Sequence, residues 1–190
     1  MIERFLLGIA VVVGGLFGIV VVLVVVLHVI GVLHLYRVPS SSMEPTLHCA
    51  RPDVGCEGAH SDRILVLKYV FASPARGDLV AFRTPPLAEV RCGAGGVFIK
   101  RVVGLPGERF EERGGEVYID GKRLSEPYIQ AERRDYRTIP PTTIGAGSYF
   151  VLGDNRESSC DSRSWGTVPK KNLIGKVVAT YWPPGRVTFR

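Results

Sequence analysis

What the chain lacks narrows it first. Its four cysteines, Cys49, Cys56, Cys92 and Cys160, form no C-x-x-C pair and no Cys/His cluster, which argues against a metal centre. No helix-turn-helix pattern, zinc spacing or aromatic stacking motif accompanies the formal net charge of +6, so nucleic acid is not the expected partner. No Gly-x-Ser-x-Gly elbow is present. The only histidines are His28, His34, His48 and His60. A Ser-His-Asp hydrolase would therefore have to use His48 or His60, which sit in a cysteine-bearing loop without a recognisable context. Beyond residue 30 helical periodicity is scarce, and there is neither an internal repeat nor a low-complexity tail.

What is present begins with a long apolar run. Residues 5–30 are all apolar or glycine except His28. As a helix this stretch would be about 39 Å long at ~1.5 Å per residue, enough to cross a hydrocarbon core of ~30 Å with tilt. It is longer than a signal-peptide core, and it leaves through His34-Leu35-Tyr36-Arg37-Val38-Pro39 rather than a small-residue cleavage site. The expectation is a short cytoplasmic flank at 1–4, a permanent anchor at 5–30 and a domain at 31–190, with Tyr36 and Arg37 at headgroup depth. The flanks carry about equal positive charge, so the arginines do not set the orientation. Most of the basic excess lies beyond the anchor, where it would face anionic lipid headgroups.

The remainder reads as short strands: residues 64–69, 78–82, 97–103, 116–120, 149–152 and 174–181 are β-branched or alternating, with Gly and Pro between them. Asp120-Gly121 marks a hairpin. A mainly β domain of barrel or folded-sheet type is expected, with one helical turn at 169–173. Loops are expected at 47–62 and 84–96, and a flap or small subdomain at 126–147. An even cysteine count on a domain outside the cytoplasm suggests two disulfides. Three pairings are possible. Cys49 and Cys56 bracket a turn, which would leave Cys92 for Cys160; four free buried thiols are the alternative.

Ser42 and Lys100 carry the chemistry. A serine hydroxyl needs a nearby base, and lysine is the known substitute for histidine. Lysine serves only if its pKa of ~10.4 falls, which burial among apolar groups achieves. Lys100 lies in Phe98-Ile99-Lys100-Arg101-Val102-Val103. On a strand Lys100 and Arg101 point to opposite faces, so Lys100 is expected toward the core and Arg101 toward solvent. A loop serine is usually a turn former and a strand lysine an edge residue. Co-occurrence is what lifts the pair above that reading.

Four motifs then resemble one family. Ser40-Ser41-Ser42-Met43-Glu44-Pro45-Thr46-Leu47, Gly77-Asp78-Leu79-Val80, Lys100-Arg101-Val102-Val103-Gly104-Leu105-Pro106-Gly107 and the stretch 153–163 stand in the order found in the bacterial type I signal peptidases, membrane-anchored Ser/Lys endopeptidases. The resemblance implies a single transmembrane helix followed by an all-β catalytic domain outside the cytoplasm, at the plasma membrane. It implies cleavage of signal peptides from exported precursors after small residues, with no cofactor and no metal. Ser42 would be the nucleophile and Lys100 the general base. The Ser42 N–H and the Ser40 hydroxyl would form the oxyanion hole, and Ser159 would hold the Lys100 nitrogen. Asp161 and Arg163 would form an ion pair beneath the site, while Asp154 and Arg156 are expected only to stabilise a turn. Pro39, Met43, Phe98 and Ile99 would wall the substrate pocket. Trp165, Trp182 and Phe189 are candidates for a surface that rests on lipid. A non-catalytic, membrane-tethered β-domain that binds exported peptides is the alternative from another class. A self-cleaving repressor would need a DNA-binding module in place of the anchor.

Overall fold

The computed structural model describes residues 2–70 and 72–190, with side chains from residue 13 onward. The chain divides into two compact units, Met1–His34 and Leu35–Arg190. The first holds helix α1 (Ile2–Val29). The charged flank expected at 1–4 and the anchor side chains of 5–12 lie outside the described side chains. Residues 13–29 of α1 are apolar and exposed almost throughout. Among the described residues no helix is long and apolar enough to cross a membrane.

The second unit is built on strands, as its β-branched runs dictate. These are β1 (Leu33–Arg37), β2 (Arg63–Leu67), β3 (Leu79–Arg83), β4 (Val97–Gly104), β5 (Arg109–Arg113), β6 (Glu116–Ile119), β7 (Lys122–Arg123), β8 (Ile139–Thr143), β9 (Ser148–Leu152), β10 (Val168–Pro169), β11 (Leu173–Trp182) and β12 (Thr188–Phe189). The larger sheet has the order β1-β2-β11-β3-β4-β9-β10, with β12 pairing β11; the smaller is β7-β6-β5-β8. The β6–β7 hairpin turns at Asp120 and Gly121, both at positive φ, the geometry that selects Asp-Gly.

Alternation along β3 shows how the core divides. Leu79 and Ala81 join one buried cluster with Met43, Leu47, Ile64 and Val177. Val80 and Phe82 face the other way, into a cluster with Val102, Val151, Trp165 and Val168. A third cluster, with Val103, Phe110, Ile144 and Phe150, contains side chains of both sheets.

Several expectations need correction. Residues 126–147, expected as a flap or small subdomain, contain β8, which pairs with β5 in the smaller sheet. The expected loop at 84–96 contains helix α2 (Pro86–Cys92), which starts with a proline in its first turn and ends at Gly93 with φ 65°. Proline is suited to a helix's first turn and glycine to its C-cap, so residues read as loop formers are helix boundaries here. A second short helix, α3 (Ser162–Trp165), follows the Asp161 N-cap. Trp165 is core, 5% exposed, with its ring against Phe98 at 5.8 Å; it offers no surface to lipid. The helical turn expected near 169–173 forms at Lys170–Asn172.

Candidate active site

The segment that carries Ser42 is a single helical turn, Ser41–Met43. Its register is held from a distant part of the chain. The Asn155 backbone N–H donates to the Ser42 carbonyl at 3.2 Å, and Asn155 Nδ2 donates to the Ser41 carbonyl at 3.1 Å. A side chain at Gly153 would collide with the Ser42 carbonyl and the Ser159 hydroxyl, so glycine is what lets the two segments touch.

Lys100 comes from β4, on the face shared with Phe98 and Val102. It is 3% exposed, and its Nζ donates to Ser42 Oγ at 2.6 Å. Burial pushes its pKa down to about 8; the Asp161 and Asp154 carboxylates oppose that fall, and Arg163 adds to it. No carboxylate bonds the ammonium directly among the described residues, which is why desolvation prevails. Ser40 Oγ stands 3.4 Å from Ser42 Oγ.

The other expected residues gather around this pair, with differences at Ser159, Arg101, Asp154 and Arg156. Ser159 is buried beside Gly153 and its hydroxyl makes no hydrogen bond to Lys100, whose Nζ is directed at Ser42. Ser159 Oγ does lie near enough to Asp161 to help keep that carboxylate charged. Arg101 leaves the opposite face of β4, as alternation requires, yet is largely covered, its side chain 12% exposed. It donates to Asp154 Oδ1 at 2.8 Å and Oδ2 at 2.5 Å, and stacks 3.9 Å from the Tyr128 ring centroid. Asp154 therefore does more than stabilise a turn. It also accepts from Thr46 Oγ1 at 2.5 Å, so one carboxylate joins the Ser42 segment to the Lys100 strand. Arg156 is buried and pairs with Glu126. Sequence reasoning missed Thr46, Tyr128 and Glu126; only Thr46, inside the serine motif, carried a local signal.

Asp161 and Arg163 form the ion pair expected beneath the site. The guanidinium grips the carboxylate with two bonds of 2.8 Å, and Asp161 also accepts from the Gly153 N–H at 3.1 Å. Burial alone would raise the Asp161 pKa, but Arg163 holds it below the ordinary carboxylate value.

The pair opens into a cavity of about 460 Å³. Pro39, Met43, Phe98 and Ile99 all line it, with Ser40, Ser42 and Lys100. Neither His48 nor His60 lines it; His48 bonds Glu44, and His60 lies against Trp182. Both disulfides form, Cys49–Cys56 and Cys92–Cys160, and the second lines the same cavity. Elsewhere Glu44, His48 and Glu57 bring their donor atoms within 4.8 Å of one another. Those atoms already have protein partners: Glu44 accepts from the Cys49 and Glu57 backbone N–H groups and meets His48, while Glu57 pairs with Arg133.

Comparison with known proteins identifies the family. Residues 11–182 match the family model described as signal peptidase, peptidase S26. Signal peptidase I of Leptolyngbya laminosa is 42% identical over 153 residues, covering 79% of this chain and 69% of that protein. A probable signal peptidase I-2 of Synechocystis sp. is 38% identical over 152 residues, covering 79% of this chain and 63% of its own length. A crystal structure of a signal peptidase I from Enterococcus faecalis superposes with a TM-score of 0.45 at 33% identity, covering 56% of this chain and 97% of that one. The chain belongs to the signal peptidase family, peptidase S26.

Proposed function

We propose that this chain is a signal peptidase I that cleaves signal peptides from exported precursors with Ser42 as nucleophile and Lys100 as base. The observation that carries the dyad is the 2.6 Å contact between Lys100 Nζ and Ser42 Oγ in a buried site. Once Lys100 has lost its proton, the same contact passes the Ser42 hydroxyl proton to Nζ as Oγ attacks the scissile carbonyl. The resulting oxyanion is received by the Ser42 N–H and the Ser40 hydroxyl, each such donor contributing about 3 kcal/mol to the transition state. The Lys100 ammonium then gives its proton to the leaving amine, and the acyl group stays on Ser42. Lys100 next takes a proton from water, the hydroxide releases the acyl group, and Ser42 recovers its proton.

Strand pairing supports an extended substrate. β3 pairs with β4 from Val97 to Arg101, whereas β9 pairs with it only from Arg101 onward. One edge of residues 97–100 is therefore open beside the cavity, and a peptide strand can add there. The walls formed by Pro39, Met43, Phe98 and Ile99 suit small side chains before the cut.

The apolar α1 is read as a single-pass anchor in the plasma membrane, with the β domain outside the cytoplasm. Two disulfides fit an oxidising compartment. Trp182, at 40% exposure, and Phe189, at 84%, offer apolar surface to lipid. The test is cleavage of one precursor by wild type, Ser42→Ala and Lys100→Ala in detergent. Loss in both supports the dyad; activity in Lys100→Ala that a His48 or His60 substitution removes would refute it.

A further inference from the structure

Behind the dyad lies a buried charge cluster that none of the cleavage steps uses. Glu112 occupies the inner face of β5, aligned with Phe110, and is fully buried. Neither of its carboxylate oxygens has a hydrogen-bond partner. Its nearest cation is Arg163, whose Nη1 lies 3.6 Å away, beyond hydrogen-bond reach. Asp135 accepts from the same Nη1 at 2.7 Å, also meets Arg137 Nε at 3.2 Å, and keeps its Oδ1 unpartnered. One guanidinium thus faces three carboxylates, Asp161 toward the dyad and Asp135 and Glu112 on the side of the smaller sheet. An unbonded buried carboxylate is costly, and Asp161 with Asp135 would suffice merely to hold Arg163.

We propose that Glu112 and Asp135 are positioning residues that act through Arg163, drawing its charge away from Lys100 and so setting how readily Lys100 keeps its proton. This rests on Lys100 being the base. Arg163 disfavours the protonated lysine and Asp161 favours it. Carboxylates on the far side of Arg163 offset its positive charge. Neutralising either one leaves more of that charge to act on Lys100, which then loses its proton at lower pH.

Glu112 also titrates in the relevant range. Burial pushes its pKa up to about 7, with Arg163 opposing, Asp135 reinforcing, Arg156 opposing and Asp161 reinforcing. Its partners on the flanking strands, Val117 of β6 and Ile139 of β8, are uncharged. As pH rises, Glu112 gains its charge just before Lys100 gives up its proton, and the new anion holds that proton back. The rise of activity with pH is then shallower than a single ionisation would produce.

The experiment is kcat/KM on a precursor peptide from mildly acid to alkaline pH, with the full chain in detergent. Glu112→Gln is expected to move the midpoint to lower pH by roughly half a unit and to steepen the rise. Asp135→Asn moves it the same way. Glu112→Asp, which keeps the carboxylate, restores most of the wild-type profile. A residue that only supports packing would reduce activity by one factor at every pH. Unmoved midpoints in Glu112→Gln and Asp135→Asn, with Lys100→Ala inactive, overturn the positioning role and leave the dyad standing. Activity retained by Lys100→Ala overturns the dyad and this inference with it. Should Glu112→Gln fail to fold, Asp135→Asn decides, because the Asp135 side chain is 10% exposed and tolerates the change more readily.

Discussion

Lys100 and Arg163 are both buried cations of the same domain, and their surroundings are built in opposite ways. Lys100 Nζ bonds one neutral hydroxyl, that of Ser42. Arg163 is gripped twice by Asp161, once by Asp135, and donates to the Arg156 carbonyl. Desolvation therefore wins at Lys100 and pairing wins at Arg163, whose pKa is raised despite its burial. The cation proposed to surrender a proton is left without a carboxylate. One that must stay charged is surrounded by them.

The comparison can be broken at its catalytic end, where the effect is largest. Ser42→Ala and Lys100→Ala should each lower kcat by ~10³-fold or more, and the double variant should be no worse than either single one, because both act in one proton-transfer step. Rate measurement on all three variants checks this; additive losses would mean separate roles.

Breaking the structural end should cost stability. Arg163→Ala leaves Asp161 buried without its partner, a change expected to cost about 3–5 kcal/mol. Thermal or denaturant unfolding of the variant is the readout. A loss of activity with unchanged stability would show that Arg163 acts on Lys100 alone.

A third prediction uses the sign of the lysine shift. The folded Lys100 pKa, about 8, lies below its ordinary 10.5, so the unfolded chain binds the proton more readily. The burden on folding is absent above the unfolded value, grows as pH falls toward 8, and is constant below that. It amounts to about 3 kcal/mol in full. Lys100→Met should accordingly stabilise the fold near neutral pH and lose that advantage in alkali. Equal stabilisation at every pH would show that the lysine is not desolvated.

The two disulfides offer the smallest contrast. Cys92–Cys160 joins residues 68 apart and Cys49–Cys56 residues 7 apart, a loop-closure difference of about 2 kcal/mol. Replacing the cysteines of the long bridge with serine should lower stability more than replacing those of the short one. Because the long bridge lines the cavity beside Ser42 and Lys100, its loss should also raise KM. Non-reducing peptide mapping establishes the pairing on which both comparisons depend.

The strand runs and the hairpin at Asp120-Gly121 were legible because their signals are local: alternation, β-branching and turn residues. The smaller sheet was harder to read. β5 carries charge at four of its five positions, and β8 contains Pro140 and Pro141, tolerated because that strand ends its sheet. Arg101 was expected in solvent because alternation gives a face but not what covers it; Tyr128 and Asp154 cover it.

By itself the sequence determined which groups could react. A serine and a lysine stood in motifs with the right neighbours, and the apolar residues around Lys100 already implied a lowered proton affinity. Tertiary structure alone decided what each charge meets. The bond from Asn155 that holds the Ser41–Met43 turn spans 114 positions, and the contact between Lys100 and Ser42 spans 58. Burial and charge pairing at such separations depend on how the sheets pack, and no local pattern encodes them. Glu112 reads as one more polar position in a strand until folding places it, dry and unbonded, 3.6 Å from the Arg163 guanidinium.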